Sequence, residues 1–305
     1  MRAVASAAAP GKIDVALQVG PAREGGGHDV ASLYLALDLT EIVTAHHAEP
    51  GSIVAELADA SSVTAEPDEI PLGEANLAVR AARLLTEYTG HAGGVRLSIT
   101  KHVPVAGGMG GGAADAAAAL VACDALWGLG LSRGELMRLG ARLGPDVPFA
   151  LTGGAAVRMG ENEQLSPLLH VEPSHWVVVP ASYGLSTPQV YRVMDSLRRG
   201  ASERIGIDTE LVSALRDGDA SVVAAHLRND LQAAAVHLAP ELQTVLDAAR
   251  DAGAQAALVT GSGPTIAVLA TDTRDARRIA TVLSDELDVR ALVAAGPAQG
   301  AHLVR

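Results

Sequence analysis

The sequence has a single cysteine, Cys123, and few aromatic side chains. One thiol can form neither a disulfide within the chain nor a multi-thiolate metal site, so a reducing, cytoplasmic setting is expected. Aromatic residues make up 2% of the 305 residues, whereas hydrophobic residues make up 49%. These proportions predict a core of mainly alanine, valine and leucine, in a chain long enough for about two domains.

Positive charge is also scarce, because 23 lysines and arginines stand against 35 acidic residues, for a net charge of -12. Nucleic acids and anionic membranes bind clustered positive charge, so we expect neither as a partner, and nothing implies an obligate protein partner. No segment is typical of a signal peptide or a membrane span, since Gly261–Pro264 interrupts the uncharged stretch Ala252–Thr271. The histidines lack metal-like partners, and we assign no residue as a metal ligand.

The hydrophobic pattern predicts a mixed α and β chain that changes character near Gly153-Gly154. Before that point the predicted strands are Val15–Val19, Val30–Leu39, Ile42–Ala45 and Val95–Ile99, and the predicted helices are Asn76–Tyr88, Ala113–Trp127 and Arg133–Leu143. After it the predicted strands are Trp176–Val179, Ala256–Thr260, Thr265–Leu269 and Val289–Val293, and the predicted helices are Thr187–Leu197, Thr209–Leu215, Pro240–Ala252 and Arg274–Leu287. Strands separated by helices in this second half predict a second α+β domain.

The most specific segment is a glycine-rich loop between a predicted strand and a predicted helix. It consists of Pro104, Val105, Ala106, Gly107, Gly108, Met109, Gly110, Gly111, Gly112, Ala113 and Ala114. Its five glycines let consecutive backbone N–H groups converge on an anion, and the helix that follows adds the positive end of its dipole. The loop lacks the Gly-Lys-Ser/Thr ending of a Walker A motif and the acidic residue of a Rossmann fingerprint. A phosphate-binding loop is favoured over a simple tight turn.

Two other segments supply charged groups, and a third supplies another glycine loop. Pro10-Gly11-Lys12 predicts a lysine in a turn just before a strand, and Asp146 lies among prolines and apolar residues. Asp146 alone fits a helix cap. If Lys12 and Asp146 meet beside the phosphate loop, they form a charge pair that can accept or orient a hydroxyl proton during phosphoryl transfer. The segment Gly261–Thr265 fits either a hairpin turn or a substrate contact.

In their order along the chain, these segments resemble the GHMP kinase superfamily. The segments that carry the resemblance are Pro10–Val15 with His28, Ala75–Ala78, Pro104–Asp115, Leu143–Phe149, Asn229–Leu231 and Gly261–Thr265. Each motif is weak alone, but the ordered set is specific and covers nearly the whole chain. The resemblance implies an α+β GHMP kinase fold with an active site in the cleft between two domains. Residues 1–157 would form a domain like domain 2 of ribosomal protein S5 with the phosphate loop, and residues 158–305 a ferredoxin-like domain.

The resemblance also implies an ATP-dependent small-molecule kinase that uses Mg²⁺ through ligands we leave unassigned. The implied acceptor is a cytidyl diphosphate compound, 4-diphosphocytidyl-2-C-methyl-D-erythritol, phosphorylated on its 2-hydroxyl in isoprenoid precursor biosynthesis. Lys12 and Asp146 match the catalytic pair of the family, with Asp146 as the proton acceptor and Lys12 holding its carboxylate ionised. The loop from Pro104 to Ala114 would wrap the ATP phosphates, and Asn76 and Lys101 match positions near the adenine.

The acceptor site implied by the resemblance contains two rings around a cytosine. His28 matches a cytosine-recognising histidine, Tyr191 a ring that stacks on the base, and Tyr34 a side chain that flanks the methylerythritol. This chain has Gly27 where the family usually has an aromatic residue, and Asp14 near the substrate where asparagine is usual. Alanines at positions 113 and 114 replace a common serine pair.

Two alternatives remain open from the sequence. One is another GHMP kinase of the homoserine or mevalonate type, against which His28 and Tyr191 argue. The other is a nucleotide-binding protein without catalytic activity, against which the retained Lys12 and Asp146 argue, because a pure binder needs no proton acceptor.

Overall fold

The computed structural model of the protein describes residues 3–23, 26–63, 70–159, 164–198 and 205–304. In these ranges the chain forms an eight-stranded sheet and a four-stranded sheet, together with helices packed against both. The α+β class predicted from the sequence is confirmed.

Short runs of strands and of helices follow one another along the chain. The strands are β1 (Val4–Ala22), β2 (His28–Ala48), β3 (Ile53–Leu57), β4 (Gly94–Thr100), β5 (Ala155–Met159), β6 (Gln164–Pro167), β7 (Ser174–Val179), β8 (Arg228–Asn229), β9 (Ala256–Val259), β10 (Ile266–Ala270), β11 (Leu292–Gly296) and β12 (His302–Val304). The helices are α1 (Leu77–Thr89), α2 (Gly111–Trp127), α3 (Arg133–Leu143), α4 (Val147–Thr152), α5 (Thr187–Leu197), α6 (Thr209–Asp217), α7 (Ala220–His226), α8 (Gln232–Leu238), α9 (Glu241–Asp251) and α10 (Thr273–Leu287).

The larger sheet is built on the long antiparallel pair β1 and β2, which continues through β4 to β3 on one side and to β12 on the other. Its first strand begins well before the predicted Val15, at Val4. Alanine is depleted in strands, which explains the missed prediction. Here Ala5, Ala7 and Ala9 alternate into the core, and their small side chains let the alanine-rich α2 pack closely.

Lys12 lies inside β1 and not in a turn before a strand, which corrects the predicted position. The register between β1 and β2 shifts between Pro10 and Gly11, and again between Asp14 and Ala16. Such bulges accommodate a proline that cannot donate to the ladder, and they re-aim neighbouring side chains. The bulges therefore flank the segment that carries Lys12.

The smaller sheet has the strand order β11-β7-β10-β9, with all neighbours antiparallel. Along the chain, β7 is followed by helices, then by the β9–β10 hairpin, α10 and β11. This order is the split βαβ pattern of a ferredoxin-like domain, as predicted. The last strand begins at Leu292 and not at Val289, because α10 ends at Leu287 with Asp288 in a left-handed conformation, and the next residues lead the chain back to the sheet.

Two cores meet along β1. Its amino-terminal part packs with α1 and α2, whereas Ile13 and Val15 pack with Trp176 and Leu269 of the smaller sheet. Lys12 thus lies at the junction of the two sheets. Strands β6 and β12, both beyond residue 157, pair within the larger sheet, so the division at residue 157 stays a prediction. No described helix has the length and apolar character needed to cross a bilayer.

Candidate active site

The glycine-rich loop runs from the end of β4 into α2, as predicted. Gly110 precedes the helix with a φ of 72°, a left-handed conformation that suits glycine. The first hydrogen bond of α2 joins the Ala114 N–H to the Gly110 carbonyl at 2.9 Å, so the N–H groups of Gly111, Gly112 and Ala113 precede the helical ladder. Gly110, Gly111 and Gly112 line, together with Asn76, a cavity of about 360 Å³. The arrangement places helix N–H donors and a positive dipole end at a cavity, which suits an anion.

A second reason for the glycines is close packing against the β9–β10 hairpin. A Cβ at Gly108 would lie 2.7 Å from the Thr260 carbonyl oxygen, and a Cβ at Gly107 would collide with the Thr265 hydroxyl. Of the two alternatives left open for this segment, the hairpin turn is present, since the Thr260 N–H donates to the Thr265 carbonyl at 2.9 Å, and a substrate contact stays a prediction. Part of the glycine content therefore reflects contact between the two loops.

Lys101 and Asn76 are both held by protein partners at the edge of this cavity. Lys101 Nζ lies 2.8 Å from Glu41 Oε1 and 2.6 Å from Asp115 Oδ2, with all three side chains buried. Asn76 caps α1, because its Oδ1 accepts from the Ala78 N–H at 2.8 Å. Both residues line the cavity, but their polar groups are engaged in the fold.

We call the trio of Lys101, Glu41 and Asp115 the buried cluster. Desolvation is the largest single influence on the pKa of each of its three groups. Burial, and next the charge of Asp115, raise the pKa of Glu41 to about 8. Burial also raises the pKa of Asp115 despite Lys101. Burial alone would lower the pKa of Lys101, but the two carboxylates outweigh it and hold that pKa above its ordinary value. The cluster therefore favours a charged lysine, and burial opposes ionisation of both carboxyl groups.

Glu41 corrects a sequence prediction. A break was predicted between strands ending at Leu39 and starting at Ile42, yet β2 is continuous through Glu41. The carboxylate is fully buried and accepts from the His102 N–H at 3.0 Å as well as from Lys101. A charged residue can stay inside a strand when its partners satisfy it.

On the other side of Gly110, β1 and β2 bring Lys12, Asp14 and Tyr34 together. Lys12 Nζ pairs with Asp14 Oδ2 and lies 4.8 Å from the centre of the Tyr34 ring. Burial raises the pKa of Asp14, while Lys12 works in the opposite direction. The Lys12 N–H donates to the Met109 carbonyl at 2.9 Å, which fixes this strand to the phosphate loop.

Asp146 immediately precedes α4 but makes no capping hydrogen bond with its side chain. Its Oδ1 accepts from the Tyr34 hydroxyl at 3.1 Å and from Arg158 Nη1 at 3.3 Å, and its side chain is 31% exposed. Burial, and next the charges of Asp146 and Asp14, raise the pKa of Tyr34 well above its ordinary value, so its hydroxyl keeps the proton that it donates. The cap interpretation of Asp146 is therefore not supported. We call Lys12, Asp14, Tyr34, Asp146 and Arg158 the open cluster.

The sequence expectation joined Lys12 to Asp146, but the structure divides the charges differently. Lys12 contacts Asp14, and Asp146 contacts Arg158. Sequence reasoning missed Arg158. Its only signal was a lone charge after the uncharged segment Val147–Val157, because the register that brings β5 beside Tyr34 is not visible in the sequence.

His28, at the start of β2, lies close to Tyr191 on α5, and their contacts with a cytosine stay a prediction. Their ring centres are 5.3 Å apart, and His28 Nε2 lies 2.9 Å from Asp195 Oδ1. Asp195 was missed, although its position four residues after Tyr191 places both on one face of a helix. Gly27 has a φ of 80°, and a Cβ there would meet nothing within 4 Å. The Gly27 side of this site is therefore sterically open.

Asn229 and Asp230 connect the hairpin to β1. Asn229 Nδ2 donates to the Gly261 carbonyl at 2.8 Å, and Asp230 Oδ2 accepts from the Val19 N–H at 3.0 Å. These motif residues serve as scaffold. Across the described residues, no group of three or more His, Cys, Asp or Glu side chains could hold a metal ion.

Two family models match the chain in the order expected from the site. The model of the GHMP kinase N-terminal domain matches residues 76–154, which include the phosphate loop and Asp146. The model of the GHMP kinase C-terminal domain matches residues 211–289, which include the β9–β10 hairpin.

Similarity extends over nearly the full length of known proteins. The chain is 50% identical over 300 residues to a 4-diphosphocytidyl-2-C-methyl-D-erythritol kinase of Pseudarthrobacter chlorophenolicus, covering 97% of this chain and 93% of that protein. A crystal structure of 4-(cytidine 5'-diphospho)-2C-methyl-D-erythritol kinase superposes with a TM-score of 0.75 at 33% identity, covering 95% of this chain and 98% of that one. A homoserine kinase from Cytophaga hutchinsonii superposes with a TM-score of 0.74 at 20% identity, covering 100% and 98%, and shows the shared fold alone.

Proposed function

The chain belongs to the GHMP kinase family, and from this premise we propose that it transfers the γ-phosphoryl group of ATP to the 2-hydroxyl of 4-diphosphocytidyl-2-C-methyl-D-erythritol, a step in isoprenoid precursor biosynthesis. The observation that carries the choice of acceptor is the placement of two sites on one strand. His28 lies at the start of β2 and is in contact with Tyr191. Tyr34 lies six residues further along the same strand and is hydrogen-bonded to Asp146.

Six residues of extended strand span about 20 Å. An acceptor with an aromatic base at one end and a reactive hydroxyl at the other can engage both sites. Homoserine and mevalonate are too short to do so and carry no base for the His28 and Tyr191 rings. This length argument favours the cytidyl acceptor over the other GHMP substrates.

In the proposed reaction the phosphate loop holds ATP through the N–H groups of Gly111, Gly112 and Ala113 and the dipole of α2. The acceptor hydroxyl loses its proton to Asp146 as its oxygen bonds to the γ-phosphorus, and the bond from that phosphorus to the bridging oxygen breaks to release ADP. Lys12 lies between Asp14 and the loop, where its charge offsets the charge on the phosphates.

The nucleotide base is proposed to lie beside Asn76 and Lys101 in the cavity of about 360 Å³. The polar groups of both side chains are already bound to protein partners. Asn76 and Lys101 would therefore shape the cavity and contribute to its electric field more than they would form new hydrogen bonds with the base. Mg²⁺ commonly binds one or two carboxylates and substrate phosphates, and then offsets phosphate charge during transfer. The described residues fit such an ion as one carried by the phosphates of ATP, and we assign it no protein ligand.

At the acceptor end, His28 and Tyr191 would bind the cytosine and Tyr34 would flank the methylerythritol. Asp195 holds one nitrogen of His28, so the other nitrogen remains to read the edge of the base. The open side at Gly27 leaves one face of the base without a stacking ring.

The test supplies the purified protein with ATP, Mg²⁺ and, in separate reactions, the cytidyl acceptor, homoserine and mevalonate, and follows ADP release. We expect turnover with the cytidyl acceptor alone. Tyr191→Leu should raise the KM for that acceptor while leaving the KM for ATP unchanged, because it removes a stacking partner worth about 1–3 kcal/mol. Turnover with homoserine or mevalonate alone, or binding of ATP without turnover, would contradict the proposal.

A further inference from the structure

We propose that Arg158 is a positioning residue for phosphoryl transfer, which acts through Tyr34 and one oxygen of Asp146 so that the other oxygen, Oδ2, takes the proton of the acceptor. The inference rests on the proposed function, since it assigns a role within the same site.

The geometry around Oδ1 is a closed triangle of three side chains. Arg158 Nη1 donates to the Tyr34 hydroxyl at 2.5 Å and to Asp146 Oδ1 at 3.3 Å. The Tyr34 hydroxyl donates in turn to the same Oδ1 at 3.1 Å. Both of these hydrogen bonds to the carboxylate go to Oδ1. Oδ2 is therefore the oxygen that we assign to a substrate hydroxyl.

The register of the sheet explains why Arg158 reaches this place. In the pairing of β2 with β5, Ala156 lies opposite Tyr34 and Arg158 lies opposite Ser32. Side chains two residues apart share a face, so Arg158 is a diagonal neighbour of Tyr34. The small Ala156 leaves room for the guanidinium, whose central carbon is 5.9 Å from the centre of the Tyr34 ring.

Charge gives Arg158 a second effect on the same carboxylate. The titratable groups that surround Asp146 in the described part of the chain are Lys12 and Asp14 from β1, Tyr34 from β2 and Arg158 from β5. Among these described groups, two cations lie near two carboxyl groups. Without Arg158 the cluster carries an excess of negative charge, and the phosphate groups that enter the site are negative as well. Loss of Arg158 should therefore impair both the orientation of the Asp146 carboxylate and the approach of the phosphate groups.

Arginine and lysine differ in a way that separates these two effects. The planar guanidinium bonds two oxygens from a fixed geometry, whereas an ammonium supplies a point charge on a flexible stem. Arg158→Lys keeps the charge and loses part of the orientation. Arg158→Met removes both the positive charge and the hydrogen-bond donors that orient the carboxylate, and it keeps an apolar stem of similar length. Arg277→Met on the exposed side of α10 is the matched control for loss of a positive charge.

The experiment measures kcat, KM and pH profiles for these variants, for Tyr34→Phe, and for the double variant Arg158→Met with Tyr34→Phe. We expect Arg158→Met to lower kcat about 10–100-fold, as misplacement of a reacting group does. The acid limb of the pH profile of kcat should move to higher pH in this variant, because the carboxylates lose a positive neighbour. Arg158→Lys should restore the pH profile and part of kcat. The double variant should cost less than the product of the single effects, since both residues act through Oδ1.

A crystal structure of Arg158→Met supplies a readout that does not depend on the acceptor. We expect the Asp146 carboxylate to rotate or to lose its contact with Tyr34. Wild-type kcat and pH profile in Arg158→Met, or an unchanged carboxylate with multiplicative effects in the double variant, would overturn the positioning role. If the wild-type protein phosphorylates a different alcohol, the proposed acceptor is wrong, and the same variants are then measured with that alcohol.

Discussion

Two clusters of one lysine and two carboxyl groups touch neighbouring glycines of the phosphate loop. The buried cluster of Lys101, Glu41 and Asp115 lies against Gly111, and a Cβ there would be 3.1 Å from Glu41 Oε1. In the open cluster, Lys12 lies against Gly110, where a Cβ would be 3.5 Å from Lys12 Cγ. The chain has only two lysines, and each cluster holds one.

The clusters differ in solvent access and in what their carboxylates bind. The side chains of the buried cluster are 0–6% exposed; in the open cluster Lys12 and Asp14 are also buried, but Asp146 is 31% exposed. Burying a charge costs free energy unless partners satisfy it. The side chains of the buried cluster therefore bind one another, and in doing so they hold β2, α2 and the loop together. The open cluster fixes Oδ1 of the partly exposed Asp146 carboxylate, and we assign Oδ2 to the acceptor hydroxyl. Similar side chains thus serve structure in one place and chemistry in the other.

The sharpest test of this division is Asp146→Asn in the open cluster. The amide preserves the size of the side chain and can still accept hydrogen bonds at one atom, but it cannot take a proton. We expect kcat to fall about 10²–10⁴-fold, which is the usual contribution of a general base. The free energy of unfolding should stay within about 0.5 kcal/mol of wild type, since Asp146 does not cap α4.

Steady-state kinetics and urea denaturation of Asp146→Asn check both halves of this expectation. An unchanged kcat would remove Asp146 from the chemistry. A large loss of stability with little loss of kcat would show that the open cluster, like the buried cluster, has a structural role.

The elements predicted best from the sequence are those with strong local signals. The capping box of Ser132 and Glu135 opens a helix with the predicted bounds Arg133–Leu143, and Pro188 marks the first turn of a helix that also runs as predicted. The alanine strand at the start of β1 was missed because its stability comes from packing against α2 and not from strand propensity.

The candidate site was predictable where it depends on short motifs, and unpredictable where it depends on register. The phosphate loop, Lys12 and Asp146 follow from residue types and order. Arg158 reaches Asp146 only because β5 pairs with β2 in one register, and a shift by one residue would turn it to the other face. Pairing of Lys12 with Asp14, two residues apart on β1, was available in principle from strand alternation.

For the buried cluster, Lys101→Met is expected to reduce stability strongly. The substitution leaves two carboxyl groups buried without their cation, and breaking a buried ion pair from one side costs about 3–5 kcal/mol. The matched control is Arg83→Met, which removes an exposed partner of Glu74 and should cost about 0–1 kcal/mol. Urea denaturation followed by circular dichroism measures both. Equal effects for the two variants would show that the buried cluster contributes no more than a surface pair.

The last expected effect is a dependence on pH rather than a single loss, and it concerns the ionisation of the buried cluster. In the folded protein the pKa of Glu41 is raised to about 8, whereas an unfolded glutamate titrates near its ordinary value of 4.5. Between these values the folded state keeps a proton that the unfolded chain releases, so stability falls as pH rises through this window. The slope for one proton is at most about 1.4 kcal/mol per pH unit.

Glu41→Gln carries a neutral side chain at every pH and should flatten this slope. Because the pKa of Asp115 is also raised, part of the slope should remain, and the raised pKa of Lys101 acts above the window. Urea midpoints between about pH 5 and about pH 8 measure the change, with the exposed Glu74→Gln as the control. We expect the stability of Glu41→Gln relative to wild type to increase with pH across this range. Parallel curves for the wild type and Glu41→Gln would mean that Glu41 stays ionised in the fold, and the buried cluster would then differ from the open one in solvent access alone.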